Sequence, residues 1–428
     1  MAHDLRVEPG PSAFRGKPIT LRLDGRAIRA FEGETVGAAL HAHGERTLMR
    51  SIKYHRPRGL FCCTGKCAGC LMRVDGVPNV RACVTPAHDG MVVETQNAFP
   101  SARRDFFGVI DRAYPRVLDV HGQFARAPWL RPIHHAIVRR MAGFGKLPDL
   151  RPMGPRRPAI GQLDADVLVV GAGPSGLAAA RAATREGARV ALVDEGDRAG
   201  GSLLLGERAQ ADALLNDIAG PVLTRSVVFG LYPTDGHGDA LPAPGLAAIL
   251  TAERILECRP RAVVVAAGAH ETPPLLPGND LPGVMGARAA LILLHRHGVL
   301  AGRRVVVTSA EGWGQQAADD LRKAGAEARI ADVSAIEGSD HVKAVVLSSG
   351  ERMEADCVLA AGNATPRVEL VQQAGGALTP KGWALAPASP APAPRVFACG
   401  SVLGDAPLAE RLRQGEAAGR AAAKEARA

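Results

Sequence analysis

Four of the eight cysteines in this 428-residue chain share one stretch. Cys62 is followed after four residues by Cys67, after two more by Cys70, and after a further twelve by Cys83. Three thiolates from one tight loop and a fourth from the next segment are what two sulfide-bridged irons require, and the spacing is the plant-type spacing for a [2Fe–2S] cluster. A structural zinc module would pair two Cys-x2-Cys knuckles, and only one is present. The chemistry expected of Cys62, Cys67, Cys70 and Cys83 is therefore one-electron transfer. Gly65 and Gly69 let the loop fold so that backbone N–H groups face the sulfurs. Cys63 is out of register and reads as a packed thiol. Cys258, Cys357 and Cys399 sit in apolar, strand-like contexts and read as buried thiols.

A second constellation follows. Gly171, Gly173 and Gly176 form a Gly-x-Gly-x-x-Gly turn with Pro174 and Ser175, directly after the apolar run Val167–Val170 and opening an Ala-rich helix. The glycines permit a tight turn and close approach of a pyrophosphate to the helix N-terminus. Asp194 ends the next strand, where a carboxylate can take ribose hydroxyls, with Glu195 as the adjacent alternative. Gly200, Gly201 and Ser202 come next. The site is expected to hold a dinucleotide.

Adding 138 to these numbers reaches a second copy, in which Gly187 maps to Gly325, Asp194 to Asp332 and Gly176 to Gly314. There the first two glycine positions are Ser309 and Glu311. A carboxylate where a pyrophosphate needs bare backbone costs several kcal/mol by Coulomb reasoning. This module is expected not to use NAD(P)H. Trp313 reads as a packing residue.

The elements that must position these groups imply a mixed α/β chain with parallel sheets. Residues 1–98 read as a small α+β, β-grasp domain for the cluster. Its hairpin turns at Asp24-Gly25, and its helix runs over Glu34–Gly44. Residues 99–163 read as a basic linker with helices around Phe106–Ala113 and Ile133–Ala142. Residues 164–285 with 380–428 read as the intact dinucleotide domain, with a loop at Pro387–Pro394. Residues 286–379 read as the degenerate module. The formal net charge of +9 lies mostly between Ser101 and Ile160, with twelve Lys/Arg against four Asp/Glu. No stacking aromatics are interleaved, which argues against nucleic acid and for a solvated linker or a surface for an acidic partner. No leader and no membrane-length apolar run are read, so a cytoplasmic protein is expected. No Ser-His-Asp or Cys-His arrangement is evident, His134-His135 read as surface or packing residues, and no catalytic residue is assigned to this chain. Tyr54-His55-Arg56-Pro57-Arg58 reads either as a support for the cluster or as a rigid packing loop.

Several stretches carry a family resemblance. Val263–Gly268, with Ala267 and Gly268, and Arg395–Gly400, with Gly400 and Ser401, resemble the flavin-contacting strands of the two-dinucleotide flavoproteins. Arg50–Gly59, Gly200–Leu204, Asp280–Met285 and Gly415–Gly419 are similar to the α subunit of the heteromeric sarcosine oxidase family, which includes opine oxidase, hydrogen cyanide synthase and hydroxyproline or proline dehydrogenase subunits. That resemblance implies FAD in the intact site, FMN at a partner interface, and a partner β subunit of glycine- or D-amino-acid-oxidase type carrying its own FAD. Electrons from an amine or imino acid would pass through the cluster to a quinone, cytochrome or carrier protein. The family's Asp after the last glycine is Ser401 here, so NAD bound without turnover is the alternative to FAD. The family's folate-binding extension is not found before Ala428. A stand-alone NAD(P)H-dependent ferredoxin reductase and a non-catalytic dinucleotide scaffold share the same motifs and are the competing readings.

Overall fold

The computed structural model describes residues 4–8, 14–52, 54–109, 128–133, 136, 158–233, 244–384 and 395–428. Most of the basic linker, the expected helix over Ile133–Ala142, the His134-His135 pair and the Pro387–Pro394 loop lie outside the described residues. The chain divides into two compact units: Met1–Met153 with Glu271–Asn363, and Gly154–His270 with Ala364–Ala428. Five helices frame the sites: α1 (Val36–Ala42), α2 (Pro174–Arg185), α3 (Ala287–His297), α4 (Gly314–Lys323) and α5 (Leu408–Arg427).

In the first unit, Pro18–Leu23 and Arg26–Phe31 pair antiparallel from Pro18↔Phe31 to Leu23↔Arg26. Asp24 and Gly25 both take positive φ (46° and 83°), the backbone a tight two-residue hairpin needs. Alternation puts Ile19, Leu21 and Leu23 inside. The sheet continues through Val92–Glu94, which lies parallel to the first strand, to Leu71–Val74 and Val77–Arg81. Helix α1 is shorter than the sequence implied. Thr35 caps it by accepting the Ala38 N–H at 3.2 Å, and His43 closes it. Every α1 residue is buried.

The same unit holds a four-stranded parallel sheet in the order Val284–Gly286, Cys357–Ala360, Arg304–Val307, Glu327–Ile330, and the antiparallel strands Val333–Gly338, Val342–Leu347 and Arg352–Glu354. The small domain is tied to this module by polar contacts. His41 Nε2 lies 2.9 Å from the Ala301 carbonyl, which also accepts from Arg46 at 2.9 Å. Arg58 donates to Asp280 at 2.9 Å. Burial drives the His41 pKa well down, so the ring is neutral there.

The second unit is built on a five-stranded parallel sheet ordered Val222–Leu223, Val190–Val193, Val167–Val170, Ala262–Val265, Val396–Ala398. Its three central strands are buried along their whole length, hence their continuous apolar runs. Helices α2 and α5 meet through small residues. A Cβ at Gly415 would lie 2.2 Å from the Ser175 carbonyl oxygen, and one at Gly419 would lie 2.1 Å from that of Ala179. A second sheet, Ala159–Leu163, Arg254–Cys258, Leu246–Leu250 and Val227–Tyr232, completes the unit. No helix among the described residues is long and apolar enough to cross a membrane.

Candidate functional site

The cysteine loop is built by close backbone approaches. A Cβ at Gly37 in α1 would come 2.9 Å from Cys83 Cα, and one at Gly69 would meet the Gly59 carbonyl oxygen at 2.6 Å. Glycine at these two positions lets α1 and the loop close on the sulfurs. Gly65 turns the loop at φ 72°. Cys70 and Cys83 are buried and Cys62 and Cys67 half-buried, so one side of the loop faces solvent.

The sulfurs neighbour one another in three pairs, Cys62 with Cys67, Cys62 with Cys83, and Cys70 with Cys83. Cys62 accepts from Cys67 and Cys83, and Cys70 accepts from Cys83, which lowers the pKa of both acceptors; the thiols of Cys67 and Cys83, as donors, are raised. Backbone N–H groups of Thr64 and Cys67 point at the Cys62 sulfur, the latter at 3.4 Å. Four cysteines grouped in this way, with N–H donors aimed at the Cys62 sulfur, fit a two-iron cluster by donor chemistry. Cys63 sits apart at φ 49°, its thiol buried and its pKa pushed well up by that burial. Burial likewise holds Cys258, Cys357 and Cys399 at about 12, which keeps them unreactive thiols.

Sequence reasoning missed Glu271. Its carboxylate accepts the Arg288 N–H at 2.9 and 3.1 Å, over the first turn of α3. A Cβ at Gly286 would lie 2.2 Å from its Oε2, so only glycine admits it. The Gly286 N–H donates to the Phe61 carbonyl at 3.0 Å, linking this cap to the cysteine loop. No local signal in the sequence announces the pairing.

Burial pushes the Glu271 carboxyl up to about 7, against the opposing pull of Arg288 and the α3 backbone N–H groups. A carboxyl whose pKa is raised by folding stabilises the fold while protonated. That contribution is complete below its ordinary value of 4.5 and is lost as pH rises to about 7. The loss is at most about 3 kcal/mol. The E271Q variant, neutral throughout, is expected to gain stability relative to the parent as pH rises across this window. Melting temperatures from pH 4.5 to 8 check it, and parallel curves would refute it.

The glycine-rich turn lies in the second unit. A Cβ at Gly176 would fall 1.7 Å from the Gly171 carbonyl oxygen, whereas one at Gly173 meets nothing within 4 Å. Gly173 is the N-cap of α2, makes no side-chain cap bond, and is followed by Pro174, and the first turn carries no acidic residue. A helix N-terminus with a glycine cap beside open space fits a pyrophosphate. Gly268, at φ 74°, also borders open space beside Ala267.

Asp194 is held by two backbone donors, Ala172 N–H at 2.6 Å and Gly196 N–H at 2.7 Å. Burial raises its pKa, and these bonds oppose the rise. A carboxylate offers about four acceptor sites, so two remain for ribose hydroxyls. Glu195 is turned away to pair with Arg367, whose N–H donates to the Gly268 carbonyl at 3.0 Å. Ser175 is buried beneath Gly400 and α5 and supports the turn rather than facing open space. Gly200 and Gly201 take φ of 127° and 54°, and Gly201 abuts Gly173. The Gly400 N–H is taken by Gln414 at 3.1 Å, a contact that sequence reasoning missed. Ser401 follows in a short 3-10 turn, half-buried.

The second copy repeats the fold of the first. A Cβ at Gly314 would lie 1.8 Å from the Ser309 carbonyl oxygen, the counterpart of the Gly176–Gly171 approach. Glu311 is exposed, its N–H bonded to Ser309 Oγ at 3.0 Å.

Comparison with known proteins matches residues 16–98 to the family "2Fe-2S iron-sulfur cluster binding domain" and residues 166–228 to "FAD dependent oxidoreductase". Sarcosine oxidase subunit alpha of Rhizobium meliloti is 31% identical over 412 residues, 85% of this chain and 41% of that relative. Hydrogen cyanide synthase subunit HcnA of Pseudomonas aeruginosa is 41% identical over 87 residues, 20% of this chain and 83% of that relative. The crystal structure of L-proline dehydrogenase from P. horikoshii superposes with a TM-score of 0.72 at 22% identity, covering 95% of this chain and 73% of that one, which shows a shared fold. The chain spans about two fifths of the sarcosine oxidase α subunits that it matches.

Proposed function

Because the chain belongs to the sarcosine oxidase α-subunit family, with a 2Fe–2S domain at its N-terminus and an FAD-type dinucleotide domain behind it, we propose that it is the electron-transfer subunit of a heteromeric, flavin-dependent dehydrogenase or oxidase of amines or N-substituted amino acids. The observation that carries the proposal is the fusion, in one chain, of a four-thiol loop of [2Fe–2S] spacing to an open glycine turn suited to a dinucleotide. When bound, FAD and the cluster supply conversion between two-electron and one-electron transfer.

The chain's own residues divide the remaining work. Cys62, Cys67, Cys70 and Cys83 would hold the irons, and the Thr64 and Cys67 N–H groups would lower the charge cost at sulfur. Gly171, Gly173 and Gly176 would admit the pyrophosphate, and Asp194 would hold the ribose. Ala267, Gly268, Gly400 and Ser401 would border the nucleotide. A β subunit of the glycine- or D-amino-acid-oxidase type would bind and oxidise the substrate. A quinone, cytochrome or carrier protein would take the electrons.

A stand-alone NAD(P)H reductase is disfavoured by Glu311, which puts a carboxylate at the second pyrophosphate position. The test is co-expression of the full chain with its candidate β subunit, followed by dye-linked oxidation of sarcosine, opines, proline and hydroxyproline. Amine-dependent dye reduction without NADH oxidation is expected. NADH oxidation by the chain alone, with no amine oxidation, would overturn the reading.

A further inference from the structure

We propose that Glu271 is a proton-binding site linked to the [2Fe–2S] cluster, so that reduction of the cluster draws a proton from solvent onto the Glu271 carboxylate. The inference rests on the cluster reading of the cysteine loop. Its balance is one electron gained by the cluster from the flavin of the proposed relay, and one O–H bond formed at Glu271 with a solvent proton; no protein bond breaks.

The geometry joins the carboxyl to the cluster ligands by two routes within one compact unit. A Cβ at Gly286 would lie 2.2 Å from Glu271 Oε2, so the carboxyl rests against that glycine. The Gly286 N–H donates to the Phe61 carbonyl at 3.0 Å, and Phe61 directly precedes Cys62. Helix α3 supplies the second route. Its first turn gives Glu271 the Arg288 N–H at 2.9 and 3.1 Å. Further along, Ile292, Leu293 and His297 line one narrow gap with Leu60, Cys63 and Cys83. The carboxyl and the cysteine loop are thus packed on the same helix.

The charges are arranged for linkage. Burial favours the neutral acid at Glu271, Arg288 and the α3 backbone N–H groups favour the carboxylate, and the group stands at about 7. Cys63 faces it from the loop: after burial, the charges of Cys62, Cys70 and Glu271 each raise the Cys63 thiol pKa. The fields of the carboxylate and of two cluster ligands therefore meet at one buried side chain. His297 is the other titratable group of α3 that faces the loop. An electron added to the cluster is one more negative charge beside a poorly screened acid, and it favours the protonated form.

The experiment is a dye-mediated redox titration of the full, cluster-loaded chain, followed by EPR, at several values between about pH 5 and 9. E271Q is run beside the parent, with E311Q as a control at an exposed carboxyl. The parent midpoint potential is expected to fall as pH rises through the Glu271 window, and E311Q is expected to keep that fall. E271Q, neutral throughout, is expected to lose it and to hold the parent's acid-limit potential at every pH. A parent potential that does not change with pH would overturn the inference without recourse to any variant. An E271Q potential that is offset but keeps the parent's slope would reveal only a disturbed loop and would also overturn it. In both cases the cluster reading stands. A parent with no [2Fe–2S] signal would overturn that reading and this inference with it.

Discussion

Replacing Cys67 by serine in the full chain is expected to abolish the [2Fe–2S] signal and to reduce one-electron transfer to background while flavin content is kept. Cys67 is in thiol contact with Cys62, and its backbone N–H also serves the Cys62 sulfur. A serine hydroxyl stays protonated at neutral pH and is a poor iron ligand beside three thiolates. The adjacent control is C63S. Cys63 is buried, with its thiol pKa pushed well up, and it lies outside the ligand register. That variant is expected to keep iron, sulfide and the reduced-state EPR spectrum. Iron and sulfide analysis with EPR reads both outcomes, and a cluster retained in C67S or lost in C63S would reassign the ligand set.

The second large effect separates the two nucleotide-type modules. A methyl at Gly176 would sit 1.7 Å from the Gly171 carbonyl oxygen, and one at Gly314 1.8 Å from that of Ser309. Both obstacles are backbone atoms, which cannot rotate aside as a side chain can. Each substitution must shift a helix N-terminus and is expected to cost about 2–3 kcal/mol of stability, seen as a matched fall in melting temperature. Only G176A is expected to lose flavin, because only its turn presents bare glycine at the pyrophosphate position. Flavin content and melting temperature on the same samples check the pair. Flavin lost from G314A but kept by G176A would place the nucleotide in the wrong module.

Local features were legible in the sequence because their physical causes are local. The Asp24-Gly25 hairpin needs two residues of positive φ, and the sequence shows the pair. The family-level fold of cluster domain and flavoprotein modules was legible through the same short motifs and their repeat. What escaped was long-range. Glu271 reaches α3 only because Gly286 leaves room beside it, and the close seat of α5 on α2 needs Gly415 and Gly419 against Ser175 and Ala179. The four-stranded sheet of the second unit escaped too. Its edge strand Ala159–Leu163 pairs with Arg254–Cys258, almost a hundred residues on, and no periodicity within either strand encodes that distance. Helix α1, buried on every side, showed no amphipathic stripe to mark its ends.

Asp194 illustrates a partial reading. Its position after the second strand marked it for the ribose, yet its carboxylate is also the clasp that holds Ala172 and Gly196 in place. An Asp194 substitution would therefore disturb the turn itself as well as any ribose contact, which makes it a poor single test of binding.

In the proposed relay, electrons would leave a substrate on a partner subunit and pass through the cysteine loop of this chain. The most direct measurement is anaerobic addition of the accepted amine to the purified complex, frozen at successive times for EPR. Appearance of a reduced [2Fe–2S] signal within the turnover time, absent from the C67S complex, is expected. A cluster that stays oxidised while the amine is consumed would contradict the relay.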